Sequence, residues 1–172
     1  MKVLVYGQKN EYEECALLLS ALPVLQYRRM EFCHAEDYDS FIGLLPEMES
    51  EDPVVILTDG AEGMEGVLAA NPDLTVIGAH FGGWSVWEEA SARLSKFENL
   101  IVDCSSSTAY ISPEYARRLV RIYGADRVMF GSDFPYNHPA DELERTLALG
   151  LTDEEYRLVL GENAKKLLGI KK

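Results

Sequence analysis

The chain has few basic residues and few cysteines. Its 172 residues include 16 Lys and Arg against 29 Asp and Glu, which gives a formal net charge of −13. Such an acidic surface repels the phosphate backbone of nucleic acids, so we expect no nucleic-acid partner. The 3 cysteines are far apart and form no CxxC pair. This spacing indicates neither a disulfide framework nor a zinc–cysteine site.

Long hydrophobic runs are also absent. No apolar run approaches the roughly 20 residues needed to span a bilayer, so we expect no membrane partner. The first residues, MKVLVYGQKNEYEE, become acidic too early for a secretory signal. These two absences predict a cytoplasmic protein.

Short apolar runs with branched side chains, typical of buried parallel strands, recur along the chain. They lie at residues 2–6, 54–57, 74–79, 100–104 and 127–130, with a more polar run at 27–33 that suits an edge strand. A helical pattern follows each run, beginning with the apolar face of residues 11–22. This alternation predicts a single α/β domain over residues 1–172. We expect six βα units in an open parallel sheet flanked by helices, flavodoxin-like, with strand order 2-1-3-4-5-6.

Local signals mark the ends of the later helices. Ser112 followed by Pro113 predicts a helix start, and Gly124 predicts its end. Thr152 and Glu155 have the spacing of a capping box, in which each side chain bonds to the backbone of the other residue.

Ligand sites in parallel α/β sheets lie at the carboxyl ends of the strands. In this sequence those ends carry Gly7-Gln8, Thr58-Asp59, His80, Asp103-Cys104 and Gly131-Ser132-Asp133. Two glycines follow His80 in GAHFGGW and allow the chain to turn sharply into the next helix. Imidazole and carboxylate groups at one edge suit a divalent metal that lowers the pKa of bound water.

Four segments of the second part of the chain carry a family resemblance. They are NPDLTVIGAHFGGW, NLIVDCSSS, YGADRVMFGSDFPY and LGENAKKLLG. Together, residues 71–169 resemble the closing part of the amidohydrolase superfamily, in the branch of TIM-barrel hydrolases and decarboxylases related to aminocarboxymuconate-semialdehyde decarboxylase. The resemblance implies that His80 is a ligand of a divalent metal, zinc or manganese. It implies that Asp133 binds the metal or moves the proton of the attacking water.

The first strand departs from that family, whose site begins with an HxH pair. KVLVYGQ contains no histidine, and the only other histidines, His34 and His138, match no family ligand position. A tight zinc site takes three or four ligands, so we expect no bound cofactor, with a divalent metal as the alternative. Without a metal, His80 and Asp133 would hold the strand ends together by hydrogen bonds to each other or to loop backbone.

Residues 1–70 resemble a response-regulator receiver domain instead. GMEG at residues 63–66 matches the turn that follows the third strand of a receiver. The receiver phosphoacceptor lies eight residues before the last glycine of that turn, which is Thr58 here, with Asp59 one place late. The resemblance makes Asp59 the phosphoacceptor candidate, although the acidic pair that binds magnesium is missing near Gly7-Gln8.

The two resemblances leave three functions open. The first is a chimeric scaffold, designed or recombined near residues 70–71 from a receiver-like half (1–70) and an amidohydrolase-like half (71–172), without intact native activity. The second is a metal-dependent hydrolase or decarboxylase that uses His80 and Asp133, with His34 or His138 recruited. The third is a phospho-independent receiver-like interaction module. The alternative fold is an incomplete (βα)8 barrel, completed by homodimerisation through its sheet edges.

Overall fold

The computed structural model of the protein describes residues 2–7, 31–49, 52–56 and 61–170. The helix predicted at residues 11–22 and the phosphoacceptor candidate Asp59 lie outside the described residues. The strands are Lys2–Tyr6 (β1), Glu31–Ala35 (β2), Val54–Ile56 (β3), Val76–Gly78 (β4), Leu100–Asp103 (β5) and Val128–Met129 (β6). They form one parallel sheet in the order β2-β1-β3-β4-β5-β6, which confirms the predicted strand order.

The two edges of the sheet are β2 and β6. The polar run predicted as an edge strand at residues 27–33 contributes the start of β2, so its edge position is confirmed. Among the described strands β6 pairs with β5 alone, and the sheet is therefore open. Homodimerisation through these edges stays a prediction.

Besides the left-handed segment Ala79–Gly82 and three short 3-10 segments, seven helices occur in the part of the chain that the structure describes. They are Tyr38–Leu44 (α1), Ala61–Ala70 (α2), Trp87–Leu94 (α3), Pro113–Tyr123 (α4), Pro139–Leu147 (α5), Asp153–Arg157 (α6) and Asn163–Leu167 (α7). A π-helical segment, Leu158–Glu162, joins the last two. None of the helices within the described ranges is long and apolar enough to cross a membrane.

The predicted helix caps are present. Ser112 accepts a hydrogen bond from the backbone N–H of Tyr115 at the start of α4. At the start of α6, the Glu155 N–H donates to Thr152 Oγ1 at 3.2 Å, and the Thr152 N–H donates to Glu155 Oε2 at 2.7 Å. The capping box is therefore confirmed. The helical pattern predicted after the apolar run at 54–57 is confirmed as α2. GMEG at 63–66, which the receiver resemblance matches to a turn, lies within this helix.

The hydrophobic core covers both faces of the central strands. Successive residues of a strand point to opposite faces, and Val3, Leu4 and Val5 of β1 are all buried. The same holds for Val76 and Ile77 of β4. Burial of each such branched side chain contributes about 1.5–3 kcal/mol, so these strands fix the sheet. Since β4, β5 and β6 are parallel, their carboxyl ends lie at one edge.

A cavity of about 870 Å³ lies at the opposite edge of the sheet, before the amino ends of β4 to β6. Its lining includes Thr75, Asn99, Arg127 and Asn163. The Nδ2 group of Asn163 donates to the carbonyl oxygens of Ala125 and Val128 at 2.7 Å each, which is a structural role. Of the described residues that line the cavity, none is one that the sequence assigns to chemistry.

Candidate functional site at the carboxyl ends of strands four to six

A left-handed turn, Ala79–Gly82, follows β4 and carries His80. The backbone angles are φ 56° and ψ 48° at His80 and φ 55° and ψ 34° at Phe81. Such angles are uncommon for residues other than glycine and cluster at functional sites. Two hydrogen bonds hold the turn: the His80 N–H donates to Asp103 Oδ1 at 3.2 Å, and the buried Tyr123 hydroxyl donates to the Phe81 carbonyl oxygen at 2.8 Å.

The Tyr123 hydroxyl stays protonated, because its burial raises its pKa above the ordinary value. Gly82, at φ 82°, lets the chain pass this hydroxyl closely. A Cβ atom at Gly82 would lie 3.1 Å from Leu94 Cδ1 and 3.2 Å from the Tyr123 hydroxyl oxygen. The sharp turn predicted from the two glycines is therefore confirmed at Gly82.

The imidazole of His80 contacts Ser105, two residues after the end of β5. Its Nδ1 lies 3.0 Å from the Ser105 carbonyl oxygen and 3.0 Å from Ser105 Oγ. A carbonyl oxygen can only accept a hydrogen bond, so Nδ1 carries the hydrogen of the neutral ring. Nε2 then holds the lone pair, and it makes no hydrogen bond with the described residues. This nitrogen can accept a proton or bind a ligand.

Asp103, the last residue of β5, organises this contact. Its Oδ1 accepts hydrogen bonds from the N–H of His80, from the N–H of Ser105 at 2.9 Å and from the Ser105 hydroxyl. The absence of a side chain at Gly131 leaves room for the Asp103 carboxylate, since a Cβ at Gly131 would lie 3.3 Å from Asp103 Cγ. The sequence places Asp103 at a strand end but assigns it no role, because its contacts are made across two strands.

Asp133 follows β6 and also has left-handed backbone, at φ 58°. Its Oδ2 accepts a hydrogen bond from Ser106 Oγ at 2.6 Å. Ser106 Oγ in turn accepts from Asn137 Nδ2 at 2.8 Å, so the serine hydrogen is directed to the carboxylate. The roles of Ser106 and Asn137 are not apparent from the sequence; the run of serines after β5, in VDCSSS, is the only signal.

Consecutive serines thus connect the two residues that the sequence singles out. Ser105 contacts His80, and Ser106 contacts Asp133. No hydrogen bond joins His80 directly to Asp133 among the described residues. Of the two arrangements expected without a metal, a bond to loop backbone is seen for His80, at the Ser105 carbonyl oxygen, whereas Asp133 bonds to the Ser106 side chain.

The remaining candidates lie elsewhere or act structurally. His34 Nε2 lies 2.9 Å from the Gly7 carbonyl oxygen, on edge strand β2, which is three strand spacings or about 14 Å from β4. His138 caps helix α5, where its Nδ1 accepts from the N–H of Ala140 at 3.2 Å.

Burial raises the pKa of the Cys104 thiol to about 12, so this thiol is not a nucleophile at neutral pH.

The donor set does not by itself complete a metal site. In residues 2–7, 31–49, 52–56 and 61–170, no three His, Cys, Asp or Glu side chains are grouped so that they could hold one ion. His80 and Asp133 supply two suitable donor groups, whereas a tight zinc site takes three or four. The predicted recruitment of His34 or His138 is not seen.

Aromatic side chains lie beside the site. The Trp84 ring packs edge-on against Trp87 and Tyr110, with ring centroids 6.1 Å and 5.3 Å apart. Trp87 Nε1 donates to Ser107 Oγ at 3.0 Å, which connects these rings to the loop of serines after β5. Tyr110 and Tyr136 remain 64 % and 63 % exposed. The carboxyl edge of the sheet therefore offers apolar rings next to the polar groups.

Comparison with solved structures relates the fold to TIM barrels. An amidohydrolase 2 from Bifidobacterium longum subsp. infantis is 21 % identical, with a TM-score of 0.60 over 78 % of this chain and 57 % of that chain. An uncharacterized TIM-barrel protein from Bordetella bronchiseptica is 21 % identical, with a TM-score of 0.68 over 96 % of this chain and 66 % of that chain. A dihydroxybenzoic acid decarboxylase from Polaromonas sp. JS666, with bound manganese, is 16 % identical, with a TM-score of 0.52 over 65 % and 39 %.

These similarities concern the fold. The chain spans 57 % and 66 % of the length of the first two structures. Since the second similarity covers 96 % of this chain, it includes most of residues 1–70 and gives no support to a separate receiver origin. Barrel relatives agree with the alternative of an incomplete barrel, and a flavodoxin-like relationship is not supported. A comparison with curated proteins gives no match.

A family model described as Amidohydrolase matches residues 57–170. The match begins before the seam predicted at residues 70–71 and covers more than half of the chain. It includes both His80 and Asp133. The chain therefore belongs to the amidohydrolase family.

Proposed function

We propose that the protein is a hydrolase or decarboxylase of a small-molecule substrate, with His80 and Asp133 at the centre of its site. The observation that carries this proposal is that His80, after β4, and Asp133, after β6, are both held by consecutive serines of the loop after β5, within the region that matches the family. His80 offers the lone pair of Nε2, and Asp133 offers a carboxylate whose direction is fixed by Ser106.

Both reactions require proton transfer at the reacting carbon or its leaving group. In hydrolysis, water loses a proton as its oxygen bonds to the carbonyl carbon, and the leaving group gains one. In decarboxylation, the carbon that loses CO₂ gains a proton, which Nε2 can donate after it has accepted one from water. Imidazole exchanges protons near neutral pH and suits either task. We assign this proton transfer to His80 Nε2, and the binding or orientation of the polar part of the substrate to Asp133.

A divalent metal remains the predicted cofactor of the second function. Histidine and carboxylate are suitable ligands for zinc or manganese, but the described residues lack the third ligand that a tight site needs. They do not fit such an ion by themselves, so no step is assigned to a metal.

The aromatic side chains beside the site, of which Tyr110 and Tyr136 are exposed, support a cyclic or aromatic substrate. Trp84, Tyr110 and Tyr136 lie in segments that follow β4, β5 and β6. One structure with a similar fold is a dihydroxybenzoic acid decarboxylase, whose substrate is an aromatic acid. We include aromatic carboxylic acids among the substrates to be tested for this reason.

The test is turnover of a panel of aryl esters, lactones, anilides and dihydroxybenzoic acids. We expect at least one compound to be converted, with activity lost in His80→Asn and in Asp133→Asn. His34→Gln is the matched control, because that imidazole lies on the far edge strand. If no compound is converted, or if His80→Asn retains full activity, the proposal is wrong.

A scaffold without intact activity is the competing proposal, and the lack of a third ligand among the described residues favours it. The receiver-like module is favoured only by the position of β1 between β2 and β3, the order of a doubly wound sheet. Because this module is phospho-independent, a pull-down of protein partners tests it, and enrichment of none would remove its support. Incubation with acetyl phosphate tests the separate prediction that Asp59 is a phosphoacceptor. Phosphorylation that is lost in Asp59→Asn would support a receiver origin of residues 1–70.

A further inference from the structure

The carboxylate of Asp103 receives three hydrogen bonds on one oxygen. Oδ1 accepts from the backbone N–H of His80 at 3.2 Å, from the backbone N–H of Ser105 at 2.9 Å and from the Ser105 hydroxyl. Asp103 therefore contacts both the residue whose ring occupies the site and the residue that contacts that ring. It lies outside the pair that the sequence assigns to chemistry.

The hydroxyl of Ser105 has a single hydrogen, and the bond to Asp103 uses it. Ser105 Oγ lies 3.0 Å from His80 Nδ1, so toward the imidazole it can only accept. The Ser105 carbonyl oxygen, 3.0 Å from the same nitrogen, also only accepts. Both neighbours of Nδ1 consequently require the ring hydrogen on Nδ1.

We propose that Asp103 is a positioning residue: by holding the Ser105 hydroxyl, it keeps His80 as the Nδ1–H tautomer and keeps the lone pair on Nε2. The consequence for catalysis rests on the proposed function, since Nε2 is the nitrogen to which proton transfer is assigned. Asp103 itself contacts no reacting atom in this account.

Loss of the Asp103 carboxylate removes the acceptor of the Ser105 hydroxyl hydrogen. Without that acceptor, the hydroxyl is free to rotate and donate its hydrogen to Nδ1. The lone pair would then lie on Nδ1, beside the loop, and the ring hydrogen would lie on Nε2. The site would retain its histidine but would have lost the proton acceptor on the side assigned to the substrate.

The tautomer is measured directly by long-range nitrogen–proton NMR of the imidazole rings. The chain has only 3 histidines, so His34→Gln and His138→Asn assign the spectrum. For the wild-type protein we expect Nδ1 of His80 to carry the hydrogen. A spectrum in which Nε2 carries it would overturn the proposal without any variant of the site.

Three variants distinguish a change of the His80 tautomer from a general loss of structure. In Asp103→Ala we expect a measurable population of the Nε2–H form. In Ser105→Ala the carbonyl oxygen remains and we expect Nδ1–H. In the double variant Asp103→Ala/Ser105→Ala no hydroxyl can donate, so the Nδ1–H form should return. Loss of structure alone would not be reversed by a second substitution.

Ser106→Ala is the matched control for Ser105→Ala and Asp103→Ala. Ser105 and Ser106 are adjacent and 4 % and 3 % exposed, but Ser106 contacts Asp133 and not His80. We expect the His80 tautomer to be unchanged in this variant.

Should Asp103→Ala not fold, as judged by its thermal unfolding, Asp103→Asn replaces it, because the neutral amide is a weaker acceptor. An unchanged tautomer in a folded Asp103 variant overturns the proposal.

The NMR readout does not depend on turnover, so the two proposals can fail separately. If the protein converts none of the tested compounds but the tautomer responds as expected, only the proposed function is wrong. If it is active, we expect Asp103→Ala to lower kcat by about tenfold or more with little change in KM, and the double variant to recover part of this loss. Full activity with an unchanged tautomer would contradict the positioning role alone.

Discussion

The hydroxyl of Tyr123 donates a hydrogen bond of 2.8 Å to the carbonyl oxygen of Phe81, on the turn that carries His80. Both side chains are buried, and their rings are stacked with centroids 6.5 Å apart. Helix α4, which carries Tyr123, therefore stabilises this turn. Its hydrogen bond gives the buried Phe81 carbonyl oxygen a partner.

Replacement of Tyr123 by phenylalanine should destabilise the protein. The variant keeps the ring but leaves the Phe81 carbonyl without its donor, which costs about 1–2 kcal/mol in the free energy of unfolding. Urea denaturation of the variant and the wild type measures this cost. Tyr110→Phe is the control, because Tyr110 is 64 % exposed and its hydroxyl has no partner within the described residues. Equal effects of the two substitutions would contradict this support of the turn.

Gly82 should not tolerate a side chain. In Gly82→Ala, the φ of 82° is unfavourable, and the Cβ would approach Leu94 and Tyr123 within 3.1–3.2 Å. We expect a loss of about 2 kcal/mol in the free energy of unfolding. Gly63→Ala provides the contrast, since Gly63 lies in α2 with no atom within 4 Å of its Cβ position, and helical alanine is about 0.5–1 kcal/mol better than glycine. A destabilised Gly63→Ala would argue against a helix at GMEG.

The Glu155 carboxylate in the capping box of α6 should make the free energy of unfolding depend on pH in the acidic range. The Arg121 guanidinium, followed by the N–H of Thr152, lowers the pKa of Glu155 from 4.5 to about 2. A carboxyl whose pKa is lower in the folded protein stabilises it above the unfolded pKa. This contribution is lost as the pH falls from about 4.5 toward 2. Thermal unfolding of wild type and Glu155→Gln should therefore differ most near neutral pH and converge near pH 2; a constant difference would contradict the assignment.

The purified protein should hold less than one equivalent of zinc or manganese per chain. His80 and Asp133 provide two ligands, and no third is grouped with them among the described residues. Elemental analysis after dialysis against metal-free buffer measures the content. One equivalent of metal that His80→Ala removes would contradict this prediction and would place further ligands outside the described ranges.

The features that could be predicted from the sequence are those encoded locally. The caps at Ser112 and Thr152 depend on residues a few positions apart, and the strand order follows from alternating short strands and helices. The contacts of Asp103 and Ser106 join residues across neighbouring strands, which periodicity does not reveal. At GMEG the helical pattern, which is local, predicts the structure correctly, whereas the match to a receiver turn does not, because these residues lie in the helix that begins at Ala61.

The role of His80 in turnover is measured by comparing kcat/KM for His80→Asn with that of the wild type. Each protein is assayed with whichever ester, lactone, anilide or dihydroxybenzoic acid the wild type converts best, with His34→Gln as the control. This role predicts that kcat/KM falls by about 100-fold or more in His80→Asn and by less than twofold in His34→Gln. Equal activity of wild type and His80→Asn, or no activity of the wild type on any of these compounds, would contradict it.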